Sequence, residues 1–113
     1  MRRDSRDFLK EILRAIEDAE EITTGIDLQT FASNKEKLYS TIHCLEIIGE
    51  AVKSLPSEIK VKYAQIPWKK IAGMRDKLIH GYFSVDSERV WITVKRDLPP
   101  LKEIIKEILN DME

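Results

Sequence analysis

Apolar residues recur every three or four positions along most of this chain, and that period dictates helices. The apolar positions of the first run are Phe8, Leu9, Ile12, Leu13, Ile16 and Ala19, and those of the last are Leu101, Ile104, Ile105, Ile108, Leu109 and Met112. This spacing places apolar side chains on one face of an α-helix. No stretch shows the alternation expected of a half-buried strand. The sequence therefore predicts an all-α fold, an up-and-down bundle of four to five helices formed by residues 1–113 as one domain.

Capping residues and helix breakers set the expected limits of the first helices. Asp4 or Ser5 is suited to cap the start of the first helix, because a short polar side chain accepts a hydrogen bond from the first-turn backbone. The second long helix is expected from Ser33 or Asn34 to about Ser54, where a proline follows and stops it.

The second half of the chain is expected to hold shorter helices. A third helix should begin at Trp68 and end near His80, because a glycine follows. A fourth should be capped by Asp86 or Ser87 and reach about Lys95.

Two successive prolines leave the next boundary open. Pro99 and Pro100 either break the chain or lie in the first turn of a new helix capped by Asp97. Residues 56–67 are expected to be a connector with one helical turn.

The second helix has an unusually wide apolar arc. Its apolar positions are Leu38, Ile42, Leu45, Ile48, Ala51, Val52 and Leu55. They cover about half of the helix circumference, more than one core-facing stripe needs. A helix with two apolar flanks often packs against its own bundle and against a second chain. This pattern predicts a homodimer.

Charge and cysteine content exclude several functional classes. Nineteen Lys and Arg residues against twenty Asp and Glu give a net charge of -1, so a nucleic-acid site must be a local patch. The single cysteine, Cys44, excludes an internal disulfide framework and a multi-cysteine zinc site, and it is expected to lie in the core. No apolar run approaches the ~18 residues of a membrane span, and the first residues lack the apolar centre of a signal peptide. We therefore expect a soluble cytoplasmic protein that does not bind membranes.

Residues 68–83 are the most basic stretch of the chain. Its cations are Lys69, Lys70, Arg75 and Lys77, against the single acid Asp76. Its aromatic residues are Trp68, Tyr82 and Phe83. A local basic patch with flanking aromatic side chains is typical of RNA binding, since phosphates pair with cations and bases stack on rings. The alternative is that the lysines form a solvated face and Trp68 lies in the core.

Arg75 breaks the apolar pattern of the expected third helix. It falls between Ile71 and Ile79 inside the apolar arc, where a guanidinium is costly to bury without partners. Such a position often marks a site or an interface. Alternatively, Arg75 reaches the surface or pairs with Glu46 or Glu50.

His80 follows Arg75 by five residues. On a helix this is about 140° of rotation and roughly 7.5 Å of rise, so the two side chains do not share a face. Because Arg is long and the helix is expected to fray at Gly81, both groups can still reach one phosphate near the helix end. Arg suits bidentate recognition of a phosphate, and His transfers protons near neutral pH. Many helices carry this pair by chance, so the spacing alone leaves RNA cleavage as one possibility among several.

Four titratable residues follow one side of the second helix: Tyr39, His43, Glu46 and Glu50. They are compatible with a second wall of a site, with half of a metal site at His43 and Glu46, or with a solvated face. The metal alternative lacks a second ligand pair, and no metal or cofactor is predicted.

The pattern Arg75-x4-His80-x-Tyr82 resembles the signature of the HEPN superfamily, and specifically of the HepT-like minimal toxins. The resemblance extends along the chain. Its further segments are Arg6-Asp7-Phe8-Leu9, Ile47-Ile48-Gly49-Glu50-Ala51, Pro67-Trp68, Gly73-Met74-Arg75, His80-Gly81-Tyr82-Phe83, Val90-Trp91 and Asp97-Leu98-Pro99.

The resemblance implies a dimeric helical bundle that acts as a metal-independent endoribonuclease toxin and leaves a 2′,3′-cyclic phosphate. It implies catalytic roles for Arg75 and His80, at a cleft shared by two copies. It also implies an antitoxin, a nucleotidyltransferase of the MntA type that transfers AMP to Tyr82. The family often has Asn where this chain has Asp76, and an acid there would lower RNA affinity or orient Arg75. Glu50 matches a family position without an assigned role.

Lys69, Lys70 and Lys77 are expected to support RNA binding. Two other functions stay open. One is a non-catalytic module that binds a nucleotide or a nucleotidyltransferase. The other is a structural helical dimer in which Arg75 forms an interhelical salt bridge.

Overall fold

The computed structural model describes residues 4–74, 79–80 and 84–112, with positions 79, 80 and 84 described by their backbone alone. The helices are α1 (Ser5–Thr23), α2 (Leu28–Ser33), α3 (Lys35–Lys53), α4 (Ser57–Lys62), α5 (Trp68–Ala72), α6 (Ser87–Ile92) and α7 (Leu98–Asp111), and a π-helical segment (Thr93–Asp97) joins the last two. Two short strands, β1 (Ile79–His80) and β2 (Ser84–Val85), pair antiparallel. The helical class is confirmed, but the described residues form seven α-helices where four to five were expected, because the short segments between the long helices are themselves helical, and the short β1–β2 ladder was not expected.

The starts of the two long helices follow the local sequence. The Asp4 carboxylate accepts a hydrogen bond from the Asp7 backbone N–H at 3.1 Å, and the Asp7 carboxylate accepts one from the Asp4 N–H at 3.4 Å. This reciprocal capping box satisfies N–H groups that have no partner inside the helix. Asn34 caps α3 in the same manner, since its side chain accepts from the Lys37 N–H at 3.1 Å. Both predicted starts are confirmed.

The wide apolar arc of α3 is buried within the single chain. α3 packs against α1, α5, α2 and α6. All seven residues of the arc are buried, from Leu38 at 7% exposed to Leu45, Ile48 and Val52 at 0%. The helix therefore uses its second apolar flank inside its own bundle, and the width of the arc gives no separate argument for a second chain.

The expectation of one helix from Trp68 to His80 is wrong. α5 ends at Ala72, and Gly73 caps it with its N–H bonded to the Lys69 carbonyl at 3.1 Å. Ile79 and His80 instead form β1, in which Ile79 lies opposite Val85 and His80 opposite Ser84. Two β-branched residues facing each other favour this short ladder over a helical end. The angular relationship expected between Arg75 and His80 on one helix therefore does not apply.

The two prolines do not break the chain; as the second alternative expected, they lie in the first turn of a new helix that begins directly after Asp97. Helical structure continues from α6 through the π-helical segment into α7, where prolines occupy the first turn. A first turn tolerates proline because its N–H groups have few intrahelical partners. Asp97 makes no cap hydrogen bond and pairs instead with Arg96 at 3.2 Å.

Two side-chain hydrogen bonds fix the short helices α4 and α5 to the bundle. The Trp68 indole N–H donates to the Tyr63 carbonyl at 3.0 Å, and the Tyr63 hydroxyl donates to the Asp111 carboxylate at 2.9 Å. Trp68 and Tyr63 are also buried in the main core. The start of α5 is thereby held between α4 and the end of α7. Of the helices the structure describes, none has the length and apolar character needed to cross a membrane.

Candidate functional site

The residues expected to perform chemistry are described only in part. Arg75, Asp76, Lys77 and Tyr82 lie outside the described residues, and their roles stay predictions. His80 is described by its backbone, which pairs with Ser84 in the strand ladder. The described chain therefore brackets the motif, with α5 and Met74 on one side and β2 on the other.

Helix α5, which directly precedes the motif, exposes its lysines to solvent and buries its tryptophan. Lys69 and Lys70 are exposed, which both a polyanion-binding face and a solvated face predict. Trp68 is buried at 6% exposure and uses its indole N–H within the core. The alternative in which Trp68 is a core residue is therefore correct, and stacking of an RNA base on Trp68 is excluded. Phe83, the other flanking aromatic beside Tyr82, lies outside the described residues.

A cleft of about 290 Å³ opens between α5 on one side and α6, the π-helical segment and α7 on the other. We call it the α5–α6 cleft. Its apolar lining consists of Ile66, Pro67, Ile71, Met74, Ile92, Pro100 and Leu101. Its polar lining consists of Gln65, Lys70, Arg89, Thr93, Arg96 and Asp97. Met74 directly precedes Arg75, so the cleft reaches the edge of the motif.

The polar lining of the α5–α6 cleft holds three cations and one acid. Among the described residues, neither Lys70 nor Arg89 forms an ion pair. Arg96 pairs with Asp97 through exposed side chains at 3.2 Å, which neutralises one cation. The Thr93 hydroxyl donates to the Arg89 carbonyl at 2.8 Å. Two positive charges that have no ion-pair partner in the described part of the chain therefore border an apolar floor, an arrangement that suits a ligand with an apolar body and a negative group.

The sequence interpretation missed Arg89 and Arg96. They are seven residues apart, close to two helical turns, so their shared face was visible in the spacing. They were overlooked because the fourth helix was not expected to lie beside the basic stretch.

The titratable side of α3 does not form a second wall of the cleft. None of Tyr39, His43, Glu46 or Glu50 lines it. Glu50 is exposed at the end of α3 and pairs with Lys53 at 3.3 Å. Tyr39 and His43 instead line a shallow depression with the acidic side chains Asp18 and Glu21.

Metal-binding side chains do not gather in the described part of the chain. No group of three His, Cys, Asp or Glu residues there has the geometry to hold a metal ion, so His43 gains no further ligands. Cys44 is buried, and burial raises the pKa of its thiol above the ordinary value, with the nearby charge of Asp18 adding to the effect. This protonated thiol agrees with the core role expected from the sequence.

Comparison with known proteins gives a consistent result. The family model described as ribonuclease HepT-like matches residues 12–108. A Methanocaldococcus jannaschii protein provisionally named as an RNase is 46% identical over 112 residues, which are 99% of this chain and 97% of that protein. A Thermococcus cleftensis protein named as a probable ribonuclease HepT is 47% identical, over 90% of this chain and 93% of its own length. No solved structure matches the chain.

Proposed function

Because the chain belongs to the HepT-like ribonuclease family, we propose that it is the toxin of a toxin–antitoxin system and cleaves RNA without a metal ion. Arg75 and His80 are its catalytic residues. The match of the family model over residues 12–108, which include the whole Arg75-x4-His80-x-Tyr82 pattern, carries this proposal. Exposed cations next to that pattern support it.

The reaction requires one proton transfer and stabilisation of one developing charge. The 2′-oxygen of a ribose attacks the adjacent phosphorus, and the 5′-oxygen of the next nucleotide leaves. His80 takes the proton from the 2′-hydroxyl as the bond from the 2′-oxygen to phosphorus forms. The protonated His80 then gives that proton to the 5′-oxygen as its bond to phosphorus breaks, so the products are a 2′,3′-cyclic phosphate and a 5′-hydroxyl, and the histidine is neutral again. Arg75 stabilises the negative charge that develops on the nonbridging oxygens.

Lysines in and beside α5 assist by attracting the RNA strand. Lys69 and Lys70 are exposed on α5, and Lys77 follows in the motif segment. Cations that neutralise phosphates raise affinity for any RNA sequence and make binding sensitive to salt. Asp76 opposes this attraction or orients Arg75, and Glu50 is a supporting residue.

Pairing of two copies and control by an antitoxin complete the proposal. A homodimer brings two Arg75–His80 sets to one shared cleft, as the family resemblance implies. A nucleotidyltransferase antitoxin transfers AMP to the Tyr82 hydroxyl. The added nucleotide is bulky and negatively charged two residues from His80, so it obstructs the site and repels the RNA backbone.

Cleavage of RNA in EDTA tests the catalytic proposal. Purified wild-type protein, Arg75→Ala and His80→Ala are incubated with single-stranded RNA and with tRNA, and the new 3′ ends are analysed. The wild type should cleave in EDTA and leave cyclic phosphate ends, and each variant should lose at least about a hundredfold in rate. Lys106→Gln, an exposed cation of α7 outside the cleft, is the matched control and should retain wild-type activity.

Equal cleavage by the wild type and both variants would contradict the assignment of Arg75 and His80. Binding of RNA without turnover would favour a non-catalytic nucleotide-binding module, and the cationic lining of the α5–α6 cleft is the feature that favours that second candidate.

A further inference from the structure

The α5–α6 cleft has the composition of a small binding site, and its described lining begins at Met74, directly ahead of the motif. Its volume of about 290 Å³ lies just below the usual range of ligand pockets, about 300–1,000 Å³. A space of this size holds one nucleoside-sized group and excludes a double helix. Its floor is aliphatic, formed by residues such as Ile71, Ile92 and Met74.

The cations of the cleft define the charge of its ligand. Lys70 enters from α5 and Arg89 from α6, so the two walls each contribute one cation without a carboxylate partner among the described residues. An anion bound there would gain two charge-assisted contacts. Gln65, an exposed residue at the rim, carries an amide that can both donate and accept hydrogen bonds.

The backbone beside the cleft contains a π-helical segment, a feature that often occurs at functional sites. The π-helical segment Thr93–Asp97 interrupts the helical rod at the cleft wall, and it contributes Thr93, Arg96 and Asp97 to the lining. Single π-helical turns within α-helices occur frequently at functional sites. This observation is independent of the charges and of the cleft volume.

We infer that the α5–α6 cleft is a subsite for one nucleotide of the single-stranded RNA substrate, with its base on the aliphatic floor and a phosphate at Lys70 and Arg89. This inference rests on the proposed function, because the cleft reaches the motif through Met74. Single-stranded RNA is recognised by unstacked bases that enter small sites while cations hold the backbone. The subsite therefore positions the strand next to the catalytic segment.

Equilibrium binding of an uncleavable strand tests the subsite separately from catalysis. The probe is a short, fluorescein-labelled single-stranded oligodeoxyribonucleotide, which lacks the attacking 2′-hydroxyl. Binding is followed by fluorescence anisotropy at several salt concentrations. Lys70→Gln and Arg89→Gln should each weaken binding about tenfold. Each should also reduce the slope of log affinity against log salt by about 0.7.

Two exposed cations outside the cleft supply matched controls. Arg14 lies on α1 and Lys106 on α7, and neither lines the cleft. Arg14→Gln and Lys106→Gln should change affinity by less than about twofold. A second kind of variant, Ile92→Trp, fills the cleft without altering charge and should also weaken binding, provided that its melting curve shows a folded protein.

Wild-type affinity in both Lys70→Gln and Arg89→Gln would overturn the subsite. A change of oligomeric state in these variants, measured by sedimentation and accompanied by unchanged oligonucleotide binding, would also overturn it, since the cleft would then hold a second copy of the chain. Failure of the proposed function is distinguishable. If the wild type binds the probe but cleaves no RNA, and only the cleft variants lose probe binding, the subsite is supported and the nuclease is contradicted.

Discussion

Helix α3 passes the end of α5 so closely at Gly49 that a Cβ there would lie 3.2 Å from the carbonyl oxygen of Ala72. This distance is shorter than an ordinary van der Waals contact between a carbon and an oxygen. The approach is possible because glycine has no side chain. Since Ala72 is the last residue of α5, the contact fixes the point at which the chain enters the segment before Arg75.

Gly49→Ala should lower activity more than stability. Alanine favours the helix by about 1 kcal/mol relative to glycine, which offsets part of the strain at Ala72. The carbonyl end of a five-residue helix can shift by a few tenths of an ångström, and the motif segment would shift with it. We expect the rate of RNA cleavage to fall about tenfold, with a change in the free energy of unfolding within about 1 kcal/mol.

Thermal melting and cleavage kinetics measured on the same preparation check this prediction. Gly73→Ala is the control for stability, because a Cβ there meets only the Lys69 carbonyl oxygen at 3.6 Å, an ordinary contact. Its melting temperature should match that of the wild type. Full activity in Gly49→Ala would show that the approach of α3 to α5 does not position the motif.

Removal of the acid at the cleft should strengthen oligonucleotide binding. Asp97 lines the cleft and pairs with Arg96 at 3.2 Å, so Asp97→Asn frees one cation and removes one negative charge. We expect affinity for the deoxyribonucleotide probe to rise about threefold and the salt dependence to become steeper. Asp18→Asn, which removes an exposed acid of α1 that does not line the cleft, is the matched control. Equal affinities for the wild type and Asp97→Asn would contradict a role for this acid.

The hydrogen bond from Tyr63 to Asp111 should make stability depend on pH in the alkaline range. That bond, followed by burial and the charges of Asp111 and Glu107, raises the pKa of Tyr63 above 10.0. The unfolded chain therefore releases the phenolic proton at a lower pH than the folded chain. The stabilisation is complete below about pH 10 and is lost as the pH rises through the pKa of the folded state.

Urea unfolding of the wild type and Tyr63→Phe between pH 8 and 11 measures this effect. The variant should be less stable at pH 8, because the Asp111 carboxylate loses its donor, and its midpoint should fall less steeply above pH 10. Tyr39→Phe, at a phenol that is 56% exposed, should follow the wild type. Parallel pH curves for the wild type and Tyr63→Phe would refute the proposed coupling.

Co-expression with a nucleotidyltransferase antitoxin should increase the mass of the chain by one or more adenylyl groups. The modification should map to Tyr82 by peptide mass spectrometry and should abolish RNA cleavage, since it places negative charge beside the site. Tyr82→Phe should remain unmodified and toxic in the presence of the antitoxin. Protection by the antitoxin despite this substitution would show that silencing does not require Tyr82.

Local sequence predicted the parts of the fold that local interactions determine. Asp4 and Asn34 cap α1 and α3 through residues three positions ahead, so both helix starts were visible in the sequence. The end of α5 at Ala72 was not visible, because α3 approaches it there at Gly49. That approach is a tertiary contact, which a periodic pattern does not contain.

In the candidate site, too, the features set by local sequence were predicted and those set by tertiary contacts were not. The spacing of Arg75 and His80, together with the resemblance, predicted the motif, which stays a prediction, whereas Arg89 was missed because the helix that carries it meets α5 only through folding. The continuous path through the π-helical segment was also missed, because the prolines at positions 99 and 100 suggested an interruption. Trp68 was assigned correctly only by the alternative that placed it in the core.

The two walls of the α5–α6 cleft differ in mechanical support. One wall belongs to the nearly continuous helical rod of residues 87–111, whose inner side chains Val90, Val94 and Leu98 are buried. The other wall is a five-residue helix held by its tryptophan and by one glycine contact. Backbone amides of α5 should consequently exchange with deuterium faster than those of α7. When an RNA strand enters the cleft, we therefore expect α5 to move while the helical rod of residues 87–111 keeps its position.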